Sequence, residues 1–324
     1  MSADNPLLLT CISAEQDLAL LPHFLSHYLA LGILPDRIRP MLNAVDADAP
    51  GLKAAQDILS RHGVNAAEIW IAPYTSDAMW AKRRELQRRE AGPQDWVISA
   101  DVDELHEYPE PLAQLLARCE QLGVDCIQGV FIDRLSLDGR LAAVAAEPSL
   151  MEQFPIQADV IWALGGQGVT HGRTGTVKLM AVRAHVLPNR GGHYPVPGAP
   201  VNYLYRHHLG GYPGIQRPAF RFAVPTRVHH FHWTQSLPQR LQRRLATPGV
   251  SPAGKEYGQK QLTHIAEHDG IDMTRVPTDE GGPRADWPEQ LAKLRTEGRL
   301  RAGWEATGRR LRALAGAMLG RPPR

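Results

Sequence analysis

Short apolar runs alternate with stretches of helical period over the first hundred residues, and this alternation restricts the fold more than any other feature of the chain. Leu7-Leu-Leu-Thr-Cys-Ile12 reads as a buried strand. Leu18, Leu21, Phe24, Leu25, Tyr28, Leu29 and Leu31 then recur at helical spacing until Gly32 stops them. Arg37 to Asn43 is a second strand, weakened by Pro40, and Pro50 to His62 is a helix closed by Gly63. Glu68-Ile-Trp-Ile-Ala72 is a third strand, Met79 to Glu90 an Arg- and Lys-rich helix, and Trp96 to Ala100 a fourth strand. Strand–helix repetition of this kind implies a parallel, doubly wound sheet with right-handed crossovers. Such sheets bind ligands beyond the carboxyl ends of their strands. Ser13, Glu15, Asn43 and Asp101 all fall at such ends.

Farther along, Pro111 to Gly123 reads as a helix and Cys126 to Ile132 as a strand. Asp133 to Arg140 reads as a turn with Asp138-Gly139 at its tip. Glu147 to Tyr212 is loop-rich, with one strand at Val177 to Arg183, and Arg227 to Trp233 is extended. From Leu237 the chain is helical and basic, broken by a Pro/Gly-rich linker near Pro277 to Pro288. At 324 residues the chain suits one large α/β domain with an appendage. Its 43% hydrophobic and 22% charged content is that of a folded globular protein. A net charge of only +2 gives no case for a general nucleic-acid binder, although Lys82–Arg89, Arg240–Arg244 and the stretch from Arg295 to Arg324 are basic. Cys11, Cys119 and Cys126 form no zinc spacing and no even framework, which fits a reducing compartment. The start lacks a signal-peptide pattern, and no apolar run reaches the roughly 18 residues of a membrane span. The expected address is the cytoplasm.

The chemistry concentrates at Trp96-Val-Ile-Ser-Ala-Asp101-Val-Asp103-Glu104-Leu105. In an extended segment alternate side chains share a face, so Asp101 and Asp103 converge and Val102 points to the core. Two carboxylates meeting at the end of a buried strand repel each other unless a cation neutralises them. Oxygen ligands select hard ions such as Mn2+ or Mg2+. His230 and His232 alternate as well, so they share a face, and a neutral imidazole, His232 ahead of His230, can complete a metal shell.

These residues carry a resemblance. The chain is similar to the family-2-like glycosyltransferases of GT-A fold, in particular a bacterial branch with an Asp-x-Asp-Glu-Phe/Leu strand exit. The likeness rests on Cys11-Ile-Ser-Ala-Glu15, on Leu21 to Gly32, on Trp96 to Leu105 and on His229-His-Phe-His-Trp233. The chain departs from the family at Ser13-Ala14, where a Lys-Asn pair is usual, and at Asn43-Ala-Val-Asp46, where an Asp-Asn-x-Ser/Thr turn is expected. The resemblance implies an α/β, GT-A type doubly wound, mostly parallel sheet with a helical C-terminal extension. The glycosyltransferase domain would span 1–235, with a nucleotide-sugar half to about 108 and an acceptor half from 109, followed by a basic extension over 236–324. It implies transfer of a sugar from a nucleotide-sugar donor to a glycan, glycolipid or other hydroxyl acceptor, in surface polysaccharide or glycan synthesis, with inversion favoured over retention. Asp101 would contact the ribose or the metal, and Asp103 would ligate it.

Inverting transfer needs a carboxylate base; Glu152 is the first choice, Asp159 the second and Asp133 the third. Lys82 and Arg83 can reach a diphosphate from their helix, although such runs are commonly a solvated helix face, and Lys178 and Arg183 can do so from a strand. The glycine-rich Gly165 to Gly168, with Thr170, His171 and Arg173, reads as a loop over an acceptor cleft. Arg309 to Leu319 is amphipathic and basic, suited to peripheral contact with the inner face of a membrane near a lipid-linked acceptor. Three other classes compete. A nucleotidyltransferase would need a lysine-bearing glycine loop that Thr10 to Glu15 lacks, and a haloacid-type phosphatase a Gly-Thr turn where Glu104-Leu105 stands. A non-catalytic nucleotide-sugar or glycan-binding module with a degenerate site is the remaining alternative.

Overall fold

The computed structural model describes residues 5–160 and 176–279, apart from 199, 213 and 216, together with 164, 284, 287, 289, 291 and 293. The expectations placed on Gly165 to Gly168, Thr170, His171, Arg173 and Arg309 to Leu319 lie outside them. The first four strands are Leu7–Ser13 (β1), Ile38–Ala44 (β2), Glu68–Ile71 (β3) and Trp96–Ser99 (β4). They pair in parallel in the order β4-β1-β2-β3. Between them run helices Leu21–Ala30 (α1), Pro50–Arg61 (α2) and Ser76–Glu90 (α3). Glu104–Glu107 (β5), Leu112–Gln121 (α4), Cys126–Leu135 (β6), Leu150–Gln153 (α5), Ile156–Ala158 (β7) and Val177–Arg183 (β8) follow. Strand β8 lies antiparallel between β4 and β6, and β7 extends the sheet beyond β6. The result is the α/β class expected: a mixed, mostly parallel sheet flanked by helices, consistent with GT-A.

The period of β1 shows how the sequence dictates this layering. Leu8 and Ile12 pack on one face with Phe24, Leu25, Leu52, Leu59 and Leu115, from α1, α2 and α4. Leu7, Leu9 and Cys11 pack on the other with Met79, Trp80 and Leu86 of α3. Alternate residues of one buried strand thus serve two cores. Each such aliphatic side chain contributes about 1.5–3 kcal/mol relative to exposure. Helix ends follow local chemistry. Pro22 and Pro50 lie in first turns, where a missing N–H costs nothing, and Gly32 turns with φ +91° after α1. The Thr75 hydroxyl caps α3 by accepting the Ala78 N–H at 3.3 Å. A Cβ at Gly51 would collide with the Ala14 carbonyl, so glycine lets the start of α2 close on the loop after β1.

Two of the differences from the sequence expectation bear on the site. The residues from Asp133 do not turn at once; β6 runs on through Leu135, and the turn begins at Ser136, with Gly139 at φ +75°. Strand β5 was not expected. It pairs antiparallel with Arg227–His230 (β9), and β9 pairs parallel with β6.

After Pro218–Ala223 (α6) and β9 come Leu237–Ala246 (α7), Pro252–His268 (α8) and Thr278–Asp279 (β10). Leu237, Leu241, Ile271 and Val276 join one core with Leu135, Ala158, Val160 and Trp233, and β10 pairs with β7. Among the described residues no helix is long and apolar enough to cross a membrane.

Candidate functional site

The segment joining β4 to β5 carries the acids, and it is a turn rather than an extended strand. The Glu104 N–H donates to the Asp101 carbonyl at 2.9 Å, and the Asp101 N–H donates to Glu104 Oε2 at 3.1 Å. Val102 is buried, as expected, although the chain turns here. The turn relieves the repulsion between Asp101 and Asp103 by giving each its own cations. Arg83 Nη2 lies 2.6 Å from Asp101 Oδ1, and Lys178 Nζ lies 3.3 Å from Oδ2. Lys178 also reaches Glu104 Oε1 at 2.7 Å. Arg83 is not a solvated helix residue but is 1% exposed, and it also donates to the Ala100 carbonyl.

Asp103 turns the other way. His232 Nδ1, His230 Nε2 and Arg240 Nη1 lie 3.6, 3.8 and 3.5 Å from its Oδ2. Asp103, His230 and His232 each offer one ligand atom, all within 4.8 Å of one another. Backbone pairing makes this possible: Glu104 lies opposite His230, and the Phe231 N–H donates to the Asp103 carbonyl at 2.8 Å. His230 is oriented from behind by Asp133, whose Oδ1 lies 3.1 Å from Nδ1. Because a carboxylate only accepts, Nδ1 carries the proton and Nε2 keeps its lone pair for the Asp103 side. The Trp233 indole N–H and the Val160 N–H fix Asp133 in turn, at 2.9 and 3.0 Å.

Two imidazoles and one carboxylate suit a divalent transition ion such as Mn2+, so the donor set fits a metal. It keeps Asp103 and His232 of the expected set and has His230 where Asp101 was expected. Burial of the His232 Nε2, which has no hydrogen-bond partner, depresses that ring's pKa to about 4. His232 is therefore neutral at pH 7, the form that ligates. Burial works to raise the Asp103 pKa, but the neighbouring His232, His230 and Arg240 hold it well below the carboxylate range. His230 is shifted upward: burial opposes its charge, and Asp133 and Asp103 overcome that.

The other expected residues are spread over the sheet edge and beyond it. The Ser13 hydroxyl donates to Glu15 Oε2 at 3.2 Å, and Glu15 Oε1 accepts the Val45 N–H, so both sit on the loop joining β1 to α1 beside the end of β2. Asn43 is buried and donates to the Trp70 and Ala72 carbonyls, tying β2 to β3. Lys82 stands over the Trp70 ring, 3.8 Å from Glu68. Glu152 is exposed and closes a capping box with Ser149 at the start of α5. Asp159 is buried in an ion pair with Arg221.

Sequence reasoning did not single out Asp17, which accepts the Ser13 N–H at 2.7 Å and shares the electrostatic field of Arg240, Asp103 and Asp101. Its position, four residues after the strand end, was the available signal. Burial pushes its pKa up from 3.8 to about 7. The folded value lies above the unfolded one, so its stabilising contribution is whole below 3.8 and is lost as pH climbs through 7. Asp17→Asn, which keeps the acceptor oxygen, is expected to match the parent in urea unfolding near pH 4. At pH 8 it should exceed the parent by about 1 kcal/mol or more. An equal difference at both pH values would remove Asp17 from this role.

No protein-family model matches the sequence, and no curated protein matches it. Among solved structures, one of S. aureus TarS overlaps 81% of this chain and 44% of its own length, at 9% identity and a TM-score of 0.31. A shorter structure, S. aureus TarS 1-349, overlaps 81% of this chain and 72% of its own, at 10% identity and a TM-score of 0.30. UDP-glucose pyrophosphorylase complexed with UDP-glucose overlaps 48% and 66%, at 8% identity and a TM-score of 0.23. The chain thus spans less than half the length of the first of these. Overlaps of this size are partial, and the functional reading rests on the site's own geometry.

Proposed function

We propose that the chain is a metal-dependent glycosyltransferase that uses a nucleotide-sugar donor and acts on a glycan, glycolipid or other hydroxyl acceptor, in surface polysaccharide or glycan synthesis. One observation carries this reading: Asp103, His230 and His232 converge beside Asp101 at the carboxyl edge of a parallel sheet, where such folds bind nucleotides. Asp103, His230 and His232 would hold a divalent transition ion, Mn2+ rather than the oxygen-seeking Mg2+, which when bound neutralises charge on a leaving diphosphate. Asp101, fixed by Arg83 and Lys178, would face the ribose or the metal. Ser13, Glu15, Asp17 and Asn43 would border the nucleoside, and Lys82 and Arg240 would add positive charge near its phosphates.

The acceptor hydroxyl must lose a proton. Glu152 and Asp159 remain our candidates for that base; Glu152 is reached by solvent, and Asp159 adjoins Ala158, the partner of Asp133 across β6 and β7. Inversion is the expected outcome. The basic segment Arg309 to Leu319 would make the peripheral contact with the inner membrane face, in the cytoplasm and close to a lipid-linked acceptor.

One feature favours the second reading, a non-catalytic nucleotide-sugar-binding module: Asp101 already has two cationic partners and Asp103 has Arg240. A thermal-shift screen of nucleoside diphosphates with and without Mn2+ tests both. A bound pair at a hundredfold excess over its dissociation constant stabilises by about 2.7 kcal/mol. Mn2+-dependent stabilisation together with slow hydrolysis of the sugar nucleotide supports the enzyme, and stabilisation without turnover supports the module. No Mn2+-dependent shift with any nucleotide would sink both.

A further inference from the structure

A second group of unsatisfied polar atoms lies on the other side of the β5–β9 ribbon from Asp103. Along β9, alternation sends His230 toward Asp103 and His229 the opposite way. There His229 lines an open cavity of about 450 Å³ with His106, Glu107, Arg134, Met151 and Arg227, drawn from four elements of the fold.

Arg134 is the least satisfied member. It is 6% exposed, its Nε has no partner, and its hydrogen bond goes to the Met151 thioether. No carboxylate among the described residues forms an ion pair with it. Its charge is met only by the field of Glu107, and its Nε–H lacks an acceptor. Arg227 is better served, by Gln157 Oε1 at 2.8 Å and Asp279 Oδ2 at 3.6 Å.

The imidazoles have the complementary deficit. His229 Nε2 lies 2.7 Å from Glu107 Oε2, so it donates there, and the unpartnered buried Nδ1 is left as a lone pair. The Tyr108 hydroxyl spends its proton on the Met180 carbonyl, so His106 Nδ1 must donate to the Tyr108 oxygen. His106 Nε2, also buried and unpartnered, is then an acceptor too. The cavity wall therefore offers one buried cation without an ion pair and, 40% exposed, the Glu107 carboxylate as an acceptor, while the two unpartnered imidazole nitrogens are shut off from water. A buried cation in that state is rare in a folded chain unless something pairs with it.

We propose that this cavity is a second ligand site, for a small anion that also carries hydroxyl groups: a sugar bearing a carboxylate or a phosphate. The anionic group pairs with Arg134, and hydroxyls donate to the exposed Glu107 carboxylate beside it. The ligand would lie one strand layer from the Asp103 cluster.

Calorimetric titration of the metal-free chain with glucuronate, glucose 6-phosphate, glucose and inorganic phosphate tests this. Glucuronate or glucose 6-phosphate is expected to bind one to one, at least about tenfold tighter than glucose or inorganic phosphate. The tighter of the two identifies the anionic group. Arg134→Met and the cavity-filling Met151→Trp are each expected to weaken that binding about tenfold or more, while Asp103→Ala leaves it unchanged. Should Arg134→Met fail to fold by circular dichroism, Met151→Trp, which alters no charge, decides. Equal binding of all four probes, full binding in Met151→Trp, or loss of binding in Asp103→Ala would each overturn the proposal.

Discussion

Asp103→Ala is expected to bind nucleoside diphosphates with no Mn2+-dependent stabilisation and to transfer sugar at least about a thousandfold more slowly than the parent. The reason lies in the charge balance of the cluster. Asp103 is its one carboxylate, and its Oδ2 faces His230, His232 and the Arg240 guanidinium within 3.8 Å. Without it, two imidazoles remain beside an arginine whose charge repels a divalent cation, and nothing offsets that charge. Asp103→Asn keeps the shape and loses the charge, so the same direction is expected, which separates charge from packing. Titrations of both variants with Mn2+ and nucleotide, alongside sugar-nucleotide hydrolysis, give the readout. A full Mn2+-dependent shift in either variant would remove Asp103 from the metal site and leave the transferase reading without its support.

The second large effect concerns stability. Lys178→Met is expected to lower the unfolding free energy by about 3–5 kcal/mol, the scale for removing one partner of a buried ion pair. The Lys178 side chain is 3% exposed and the Glu104 side chain 4%, so water cannot replace the lost ammonium. Burial already raises the Glu104 pKa against the pull of Lys178. In the variant Glu104 escapes its penalty by taking up a proton. A carboxyl with a raised folded pKa supports the fold at low pH and weakens it as pH rises through that value. The Lys178→Met deficit is therefore expected to be larger at pH 8 than at pH 5 in urea unfolding. Adding Glu104→Gln should recover part of the loss, with a coupling of about 1 kcal/mol or more in the double-mutant cycle. Independent, additive effects of the two substitutions would mean that the ammonium does not serve Glu104.

The parts of this architecture that could be read from sequence are those where one strong signal acts alone. Leu7 to Ile12 and Trp96 to Ala100 are apolar runs buried on both faces, and α1 and α2 carry apolar stripes closed by Gly32 and Gly63. Strand β5 was invisible because Glu104-Leu-His-Glu107 looks like a polar continuation of an acidic turn. It is extended and largely buried because distant residues satisfy it: Glu104 meets Lys178, and Glu107 meets His229. Asp133 misled in the same way. An acid after an apolar run suggests a turn, yet His230, Trp233 and Val160 converge on it inside β6. At the site, the importance of Asp101, Asp103 and the late histidines was legible from spacing. The separate partners of the two aspartates were not, since Arg83, Lys178 and Arg240 come from three distant elements. A pattern that assumed an extended strand put both acids on one face, where the chain in fact turns between them.

The placement of β8 bears on how the chain is made. Its pairing of Val182 with both Val97 and Cys126 is the seam joining the two halves of the sheet. A ribosome must therefore deliver residues through the end of β8 before the edge of β4 is covered. Until then the emerging chain exposes an unpaired apolar strand bearing Trp96 and Val97, open to pairing with another nascent copy. Closing that seam through contacts distant in sequence prolongs the exposure of β4, as the still more distant pairing with β9 does for β5.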